Sequence, residues 1–88
     1  DRMYLNTTGP VEIHDSKLQR RIRIKKWGSL STVVWNPWAA KAQRLPDFGN
    51  DEYLRMVCVE SGNVGENEVT LPAGKSTSLK IELSTLRL

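Results

Sequence analysis

Apolar and polar residues alternate in several short segments of this chain, which predicts a protein built from β-strands. The pattern is clearest at residues 20–26, where two isoleucines are separated by basic residues. Successive side chains of a strand point to opposite faces, so this strand would have one apolar and one basic face. Alternation, residues of high β propensity or a mostly apolar run predict strands at residues 2–6, 11–14, 20–26, 31–36, 53–60, 68–71 and 76–84.

Turn-forming residues separate the predicted strands, and one segment has the composition of a helix. Pro37 ends a strand, and residues 38–43 then contain good helix formers. Pro46 would end any helix that they form. This predicts a single helix of about two turns near residues 38–43. Short strands joined by turns are typical of an all-β antiparallel sandwich or barrel. With 88 residues, the chain is expected to form one domain or part of one.

The segment 54–60 is mostly apolar and ends in Glu60. A strand of this composition usually buries both faces, so a carboxylate at its end would be held rigidly and partly desolvated. Such a carboxylate can accept protons at neutral pH. The alternative is a strand end that emerges into water, where Glu60 is only a solvated charge. The local pattern leaves both interpretations open.

Two tryptophans flank an amide in the sequence Trp35-Asn36-Pro37-Trp38. The apolar face of a sugar ring stacks on indole, and its hydroxyl groups require planar amides and carboxylates. Trp35 and Asn36 are therefore candidate sugar-binding residues. The alternative is that both tryptophans cover the open end of a small core.

Charge and composition argue against several other functions. The net charge of +3 is only mildly basic, and the basic segment 20–26 has no interleaved aromatic residues, so nucleic-acid binding is not expected. His14 is expected to face solvent, and no His or Cys pair has metal-ligand spacing, so we predict no metal site. No glycine-rich phosphate loop is present either, and no cofactor is expected.

Cysteine content and hydropathy bear on the cellular setting. Cys58 is the only cysteine, and it lies within an apolar strand, which favours a reduced, cytoplasmic protein. No run of apolar residues approaches the length of a membrane span, so no membrane partner is expected.

Several uncommon residues then occur in an order that resembles the glucose-6-phosphate 1-epimerases. These are hexose-6-phosphate mutarotases of the aldose-1-epimerase, or galactose mutarotase-like, superfamily. The resemblance covers nearly all 88 residues, and it rests on Asp1-Arg2-Met3-Tyr4, Thr32-Val33-Val34-Trp35-Asn36-Pro37-Trp38, Lys41, Asp47-Phe48, Asp51-Glu52-Tyr53, Met56-Val57-Cys58-Val59-Glu60 and Leu71-Pro72-Ala73-Gly74.

The resemblance implies a large antiparallel β-sandwich and a catalytic role for one acid. Proteins of that family are far longer, so residues 1–88 are expected to form the C-terminal third of one sandwich domain, with its remainder N-terminal to them. Glu60 matches the family's catalytic base, and Asp1 matches an aspartate that hydrogen-bonds sugar hydroxyl groups. The family's acid is a histidine further upstream, and His14 does not occupy that position.

The implied activity is the interconversion of the α and β anomers of a hexose 6-phosphate or a related aldose. This isomerase chemistry needs a base and an acid but no cofactor. The isolated chain, which lacks the acid, is expected to be inactive. The alternative function is a non-catalytic carbohydrate-binding module with the same sandwich fold.

Overall fold

A computed structural model describes all residues from Asp1 to Leu88. It contains six strands, one α-helix and two short 3-10 helices. The strands are β1 (Arg2–Leu5), β2 (Val11–Asp15), β3 (Arg20–Trp27), β4 (Ser31–Trp35), β5 (Cys58–Gly62) and β6 (Lys80–Arg87). The helix is α1 (Trp38–Arg44), and the 3-10 helices span Glu52–Arg55 and Gly65–Asn67.

The strands form two antiparallel sheets of three strands each. Sheet I has the order β1-β4-β5, and sheet II has the order β2-β3-β6. Neighbouring strands are antiparallel in both sheets. The all-β prediction with one short helix is therefore confirmed. None of the helices is long and apolar enough to cross a membrane.

Sheet II has the two unlike faces that the alternation at residues 20–26 predicts. Its register places most apolar side chains of β2, β3 and β6 on one face, whereas Trp27 and Leu86 lie on the other. Ile24 is buried at the centre of this face, whereas Ile81 and Leu83 on β6 are 48% and 62% exposed. Nothing within the chain covers the β6 side of the apolar face.

The opposite face of sheet II is charged, and its basic residues surround one carboxylate. The Glu12 carboxylate accepts a hydrogen bond from Arg23 Nε at 3.1 Å, and Arg21 Nη1 lies 3.8 Å away. The hydrogen bond from Arg23 is the main reason that the pKa of Glu12 is lowered. His14 lies 3.5 Å from the same carboxylate, and its side chain is 63% exposed, so it faces solvent as expected.

Lys26 differs from the neighbouring basic residues of β3, because it is buried. It follows Ile24 on the apolar face of sheet II and is only 6% exposed. Its ammonium group has no carboxylate partner within 4.0 Å. Four oxygen atoms surround it instead: Ser31 O at 2.9 Å, Thr7 Oγ1 and Thr32 Oγ1 at 3.0 Å, and Ser29 Oγ at 3.1 Å.

This arrangement, called here the Lys26 cage, joins the two sheets. Lys26 belongs to β3 of sheet II, whereas Thr32 belongs to β4 of sheet I. Thr7 lies on the connection between β1 and β2, and Ser29 also donates a hydrogen bond to Gly62 O in β5. One buried ammonium group thus connects three separate segments of the chain.

Three predicted strands differ from those observed. The strand predicted at 53–60 begins only at Cys58, because the chain before it forms the 3-10 helix Glu52–Arg55, and it continues to Gly62. The strand predicted at 68–71 is absent, since these residues pair with no other segment. The strand predicted at 76–84 is shifted to Lys80–Arg87, because its partner β3 ends at Trp27, opposite Lys80.

We predict that Lys26→Met in the full-length protein lowers the free energy of unfolding by roughly 1–3 kcal/mol, because the buried oxygen atoms of the cage lose their donor. Chemical denaturation measures this difference. The neighbouring Lys25 is exposed, so Lys25→Met should leave the stability nearly unchanged. Equal effects of the two substitutions would show that the cage does not stabilise the fold.

Lys26 should also make stability depend on pH in the alkaline range. Burial lowers its pKa below the ordinary value of 10.5, so between the folded-state pKa and 10.5 the unfolded chain binds more protons. The contribution of Lys26 to the free energy of unfolding should therefore rise with pH in that window and be lost as pH falls through the folded-state pKa. Chemical denaturation of wild type and Lys26→Met at several pH values measures this contribution as the difference between their free energies of unfolding. A flat difference would contradict the burial of the ammonium group.

Candidate functional site

The register of sheet I places two of the candidate site residues on one face. Val33 of β4 lies opposite both Met3 of β1 and Glu60 of β5. Trp35 lies two residues beyond Val33, opposite Cys58. Directly paired residues, and residues two apart along a strand, point to the same side of a sheet. Glu60 and Trp35 therefore share what we call the Glu60 face of sheet I.

Asp1 belongs at the same end of this face. Arg2 pairs with Val34, so continuing the register by one residue places Asp1 beside Trp35. Asp1 is two residues before Met3, which lies on the Glu60 face. The structure thus brings Trp35 and Glu60 to one side of sheet I, and the continued register adds Asp1, although these residues are far apart in the sequence.

Glu60 does not lie at the end of a buried strand, as its sequence context suggests. It is the third residue of β5, and the strand continues for two more residues. The side chain is exposed, since no other part of the chain covers it. Of the two interpretations that the local pattern leaves open, a Glu60 carboxylate in contact with water is the one observed within these 88 residues.

Asn36 has a structural role that its sequence context did not indicate. Its Nδ2 donates hydrogen bonds to Tyr53 O and to Met56 O, both at 2.8 Å. Its Oδ1 accepts a hydrogen bond from the backbone N–H of Trp38 at 2.9 Å. Both the nitrogen and the oxygen of this amide are thus hydrogen-bonded to the main chain. The side chain thereby connects the start of α1 to the segment 53–56, which precedes β5.

Trp38 is the more exposed of the two candidate stacking residues. It is 68% exposed, so it does not cover the core. Its backbone is in the left-handed region, with φ of 62°, which is unusual for a bulky residue and is held by the hydrogen bond from Trp38 to Asn36. Its ring meets that of Tyr53 edge to face, with centroids 5.2 Å apart.

Lys41 of α1 lies above Trp35. Its Nζ is 5.2 Å from the centroid of the Trp35 ring, within the range of a cation–π interaction. Because Trp35 lies on the Glu60 face, this contact brings a positive charge to that face. The local sequence gave no signal for this placement, which depends on how α1 folds back after Pro37.

A cavity of about 570 Å³ is bordered by Lys26 and Ser29 of the Lys26 cage and by the turn that follows β3. It is lined by Trp27, Leu30 and Asn63, among others. The Asn63 amide accepts a hydrogen bond from the N–H of Leu30 and donates one to the carbonyl oxygen of Gly28, which fixes its orientation. No group of three or more His, Cys, Asp or Glu residues is arranged to hold a metal ion.

Comparison with known proteins identifies the class to which this fold and face belong. The family model described as aldose 1-epimerase matches residues 1–84. The chain therefore belongs to the aldose 1-epimerase family, a family of sugar-converting isomerases. The two antiparallel sheets and the single short helix agree with this membership.

Three relatives carry the same name, "Putative glucose-6-phosphate 1-epimerase". The protein of Cenchrus ciliaris is 37% identical over 86 residues, which are 98% of this chain and 26% of that protein. The protein of Escherichia coli is 32% identical over 84 residues, which are 92% of this chain and 29% of that protein. The protein of Salmonella typhimurium is 39% identical over 61 residues, which are 69% of this chain and 21% of that protein.

The chain thus spans less than a third of the length of these relatives. No solved structure is a significant match.

We predict that Asn36→Ala in the full-length protein lowers the free energy of unfolding by roughly 1–3 kcal/mol, because two carbonyl groups and one N–H lose their partner. Asn50 is exposed and its side chain makes no hydrogen bond, so Asn50→Ala is the matched control with little expected effect. Thermal or chemical unfolding measures both variants. An Asn36→Ala protein of unchanged stability that binds sugar more weakly would instead make Asn36 a ligand-binding residue.

Proposed function

We propose that this chain is the C-terminal part of an enzyme that interconverts the α and β anomers of hexose 6-phosphates, with Glu60 as the general base. The observation that carries the proposal is that the register of sheet I puts Trp35 and Glu60 on one face, with Asp1 next to Trp35 when that register is continued by one residue. Membership of the aldose 1-epimerase family and the name shared by the three relatives support it.

The residues on this face suit the proposed reaction. Glu60 takes the proton from the anomeric hydroxyl group while an acid protonates the ring oxygen, and the ring opens to the aldehyde. Rotation about the C1–C2 bond lets the ring close on the other face of the carbonyl group. Asp1 accepts hydrogen bonds from sugar hydroxyl groups, and the Trp35 indole offers an apolar surface to the ring.

Glu60 has only part of the environment that such a base needs. Its carboxylate is exposed within this chain, whereas a general base works best when the reacting proton is positioned and bulk water is excluded. In our proposal, another part of the same sandwich domain covers the Glu60 face and completes the site. The open apolar side of sheet II at β6 gives that part of the domain a second surface to pack against.

The acid of the reaction is also expected from that other part of the domain. His14 is the only histidine here, and it lies on the charged face of sheet II beside Glu12 rather than on the Glu60 face. No histidine of this chain is therefore placed to protonate a sugar bound at Glu60. It follows from the proposal that residues 1–88 alone do not catalyse anomer exchange.

We predict that Glu60→Gln in the full-length protein abolishes the catalysed exchange of glucose 6-phosphate anomers. Loss of a positioned general base should lower kcat by about 10²–10⁴-fold, because the amide cannot accept the proton. Saturation-transfer NMR of the anomeric protons measures the exchange rate. The substitution is nearly isosteric and lies at an exposed position, so the fold should persist.

Glu68→Gln is the matched control, since Glu68 is an exposed acid outside the strands. It should exchange anomers at the wild-type rate. A Glu60→Gln protein with wild-type exchange would remove Glu60 from the base role. A wild-type protein that binds the sugar phosphate without accelerating exchange would instead support a carbohydrate-binding module.

A further inference from the structure

The strand that carries Glu60 is an edge strand, and its end is held by contacts outside the sheet. Within these 88 residues β5 pairs only with β4. Glu60 pairs with Val33 and Gly62 pairs with Ser31, so Gly62 lies two pairs beyond Glu60 at the end of β5. A strand that is paired on one side opens more easily than a central strand, so contacts at its end decide how firmly Glu60 is held.

The turn between β3 and β4 supplies these contacts through three consecutive residues. Ser29 Oγ donates a hydrogen bond to Gly62 O at 2.8 Å. Asn63, the next residue, donates to Gly28 O and accepts from the N–H of Leu30, both at 2.8 Å. Ser29 is only 3% exposed, so water competes least for its hydrogen bond. Ser29 is therefore the buried link between this turn and β5.

Lys26 determines which carbonyl group receives the Ser29 proton. The Ser29 hydroxyl group has one proton and two carbonyl oxygens within reach, Gly62 O at 2.8 Å and Ser31 O at 3.0 Å. Lys26 Nζ can only donate, and it lies 3.1 Å from Ser29 Oγ and 2.9 Å from Ser31 O. The ammonium group therefore supplies a hydrogen bond to Ser31 O and leaves the Ser29 proton for Gly62 O. A hydroxyl group that accepts from a cation is also polarised into a stronger donor.

The Lys26 cage lies on the side of sheet I opposite the Glu60 face. Thr32 Oγ1 is one of the oxygen atoms of the cage. Thr32 precedes Val33, so its side chain points away from the side that Val33 and Glu60 share. Ser29 contacts β5 through a main-chain carbonyl group rather than through the side chain of Glu60. It can thus orient the carboxylate without contacting a ligand bound at Glu60.

We propose that Ser29, oriented by Lys26, is a positioning residue for the general base. Its hydrogen bond to Gly62 fixes the end of β5 and so holds the Glu60 carboxylate in the orientation that proton transfer requires. The inference rests on the proposed function, because it takes Glu60 to be the base. It assigns a role in turnover to a buried hydroxyl group that lies outside the strands of both sheets.

The test compares Ser29→Ala with Thr7→Val in the full-length protein. Each variant removes one hydroxyl oxygen that accepts from Lys26, but only Ser29 donates a hydrogen bond to β5. Both should lose similar stability in chemical denaturation. Only Ser29→Ala should lower kcat for anomer interconversion, by about tenfold with KM unchanged, since a misplacement of about 1 Å can cost about 10²-fold. NMR of the anomeric protons at several concentrations of glucose 6-phosphate gives both constants.

Deuterium uptake measured by mass spectrometry tests the anchoring of β5 without relying on turnover. The peptide that contains Glu60 should take up deuterium faster in Ser29→Ala than in wild type, and at the wild-type rate in Thr7→Val. Should Ser29→Ala fail to fold, Ser29→Cys makes the same comparison, because a thiol is only a weak donor.

The inference is overturned if Ser29→Ala and Thr7→Val change kcat equally, or if deuterium uptake by β5 is the same in both. If Glu60→Gln abolishes turnover and Ser29→Ala matches wild type, only the role of Ser29 is wrong. If Ser29→Ala alone loosens β5 while Glu60→Gln keeps wild-type turnover, the role of Glu60 as base is wrong and the anchoring of β5 by Ser29 stands.

Discussion

The Lys26 cage is the interaction on which the relative placement of the two sheets depends. A buried ammonium group without a carboxylate is costly, because its charge leaves water without a counter-ion. The four surrounding oxygen atoms offset that cost by accepting its hydrogen bonds. The adjoining turn is equally constrained, since a side chain on Gly28, where φ is 76°, would overlap the carbonyl oxygen of Ser78. These contacts fix how β3 of sheet II passes into β4 of sheet I.

Once β4 is fixed, its position at the centre of sheet I assembles the candidate site. It pairs with β5 on one side, which brings Glu60 to the same face as Trp35, and with β1 on the other, whose continued register adds Asp1. Asn36, directly after β4, then sets where α1 begins and where the chain returns toward β5. The residues that lie on the Glu60 face are thus positioned by the central strand β4 and by the side-chain amide of Asn36.

The sequence pattern predicts the parts of this account that depend on local periodicity. The alternation at residues 20–26 correctly indicates the two faces of β3, and the prolines correctly bracket α1. Alternation does not reveal whether an inward position such as Lys26 is covered, since that depends on residues distant in the chain. The apolar residues before Cys58 also led to a predicted strand that starts too early. The carbonyl groups of Tyr53 and Met56 are held there by Asn36, about twenty residues upstream, and a local pattern does not reveal that contact. Likewise, predicting which residues share a face with Glu60 requires knowing which strand pairs with β5, and periodicity does not supply that information.

The central claim is that the Glu60 face of sheet I holds the anomeric end of a sugar phosphate. A crystal structure of the full-length protein with glucose 6-phosphate bound tests it most directly. The account predicts a Glu60 carboxylate oxygen within about 3 Å of the anomeric hydroxyl oxygen, which is hydrogen-bond reach for proton transfer. A sugar phosphate bound on the opposite face of sheet I, or in the cavity beside Trp27, with Glu60 free in solvent, would contradict it.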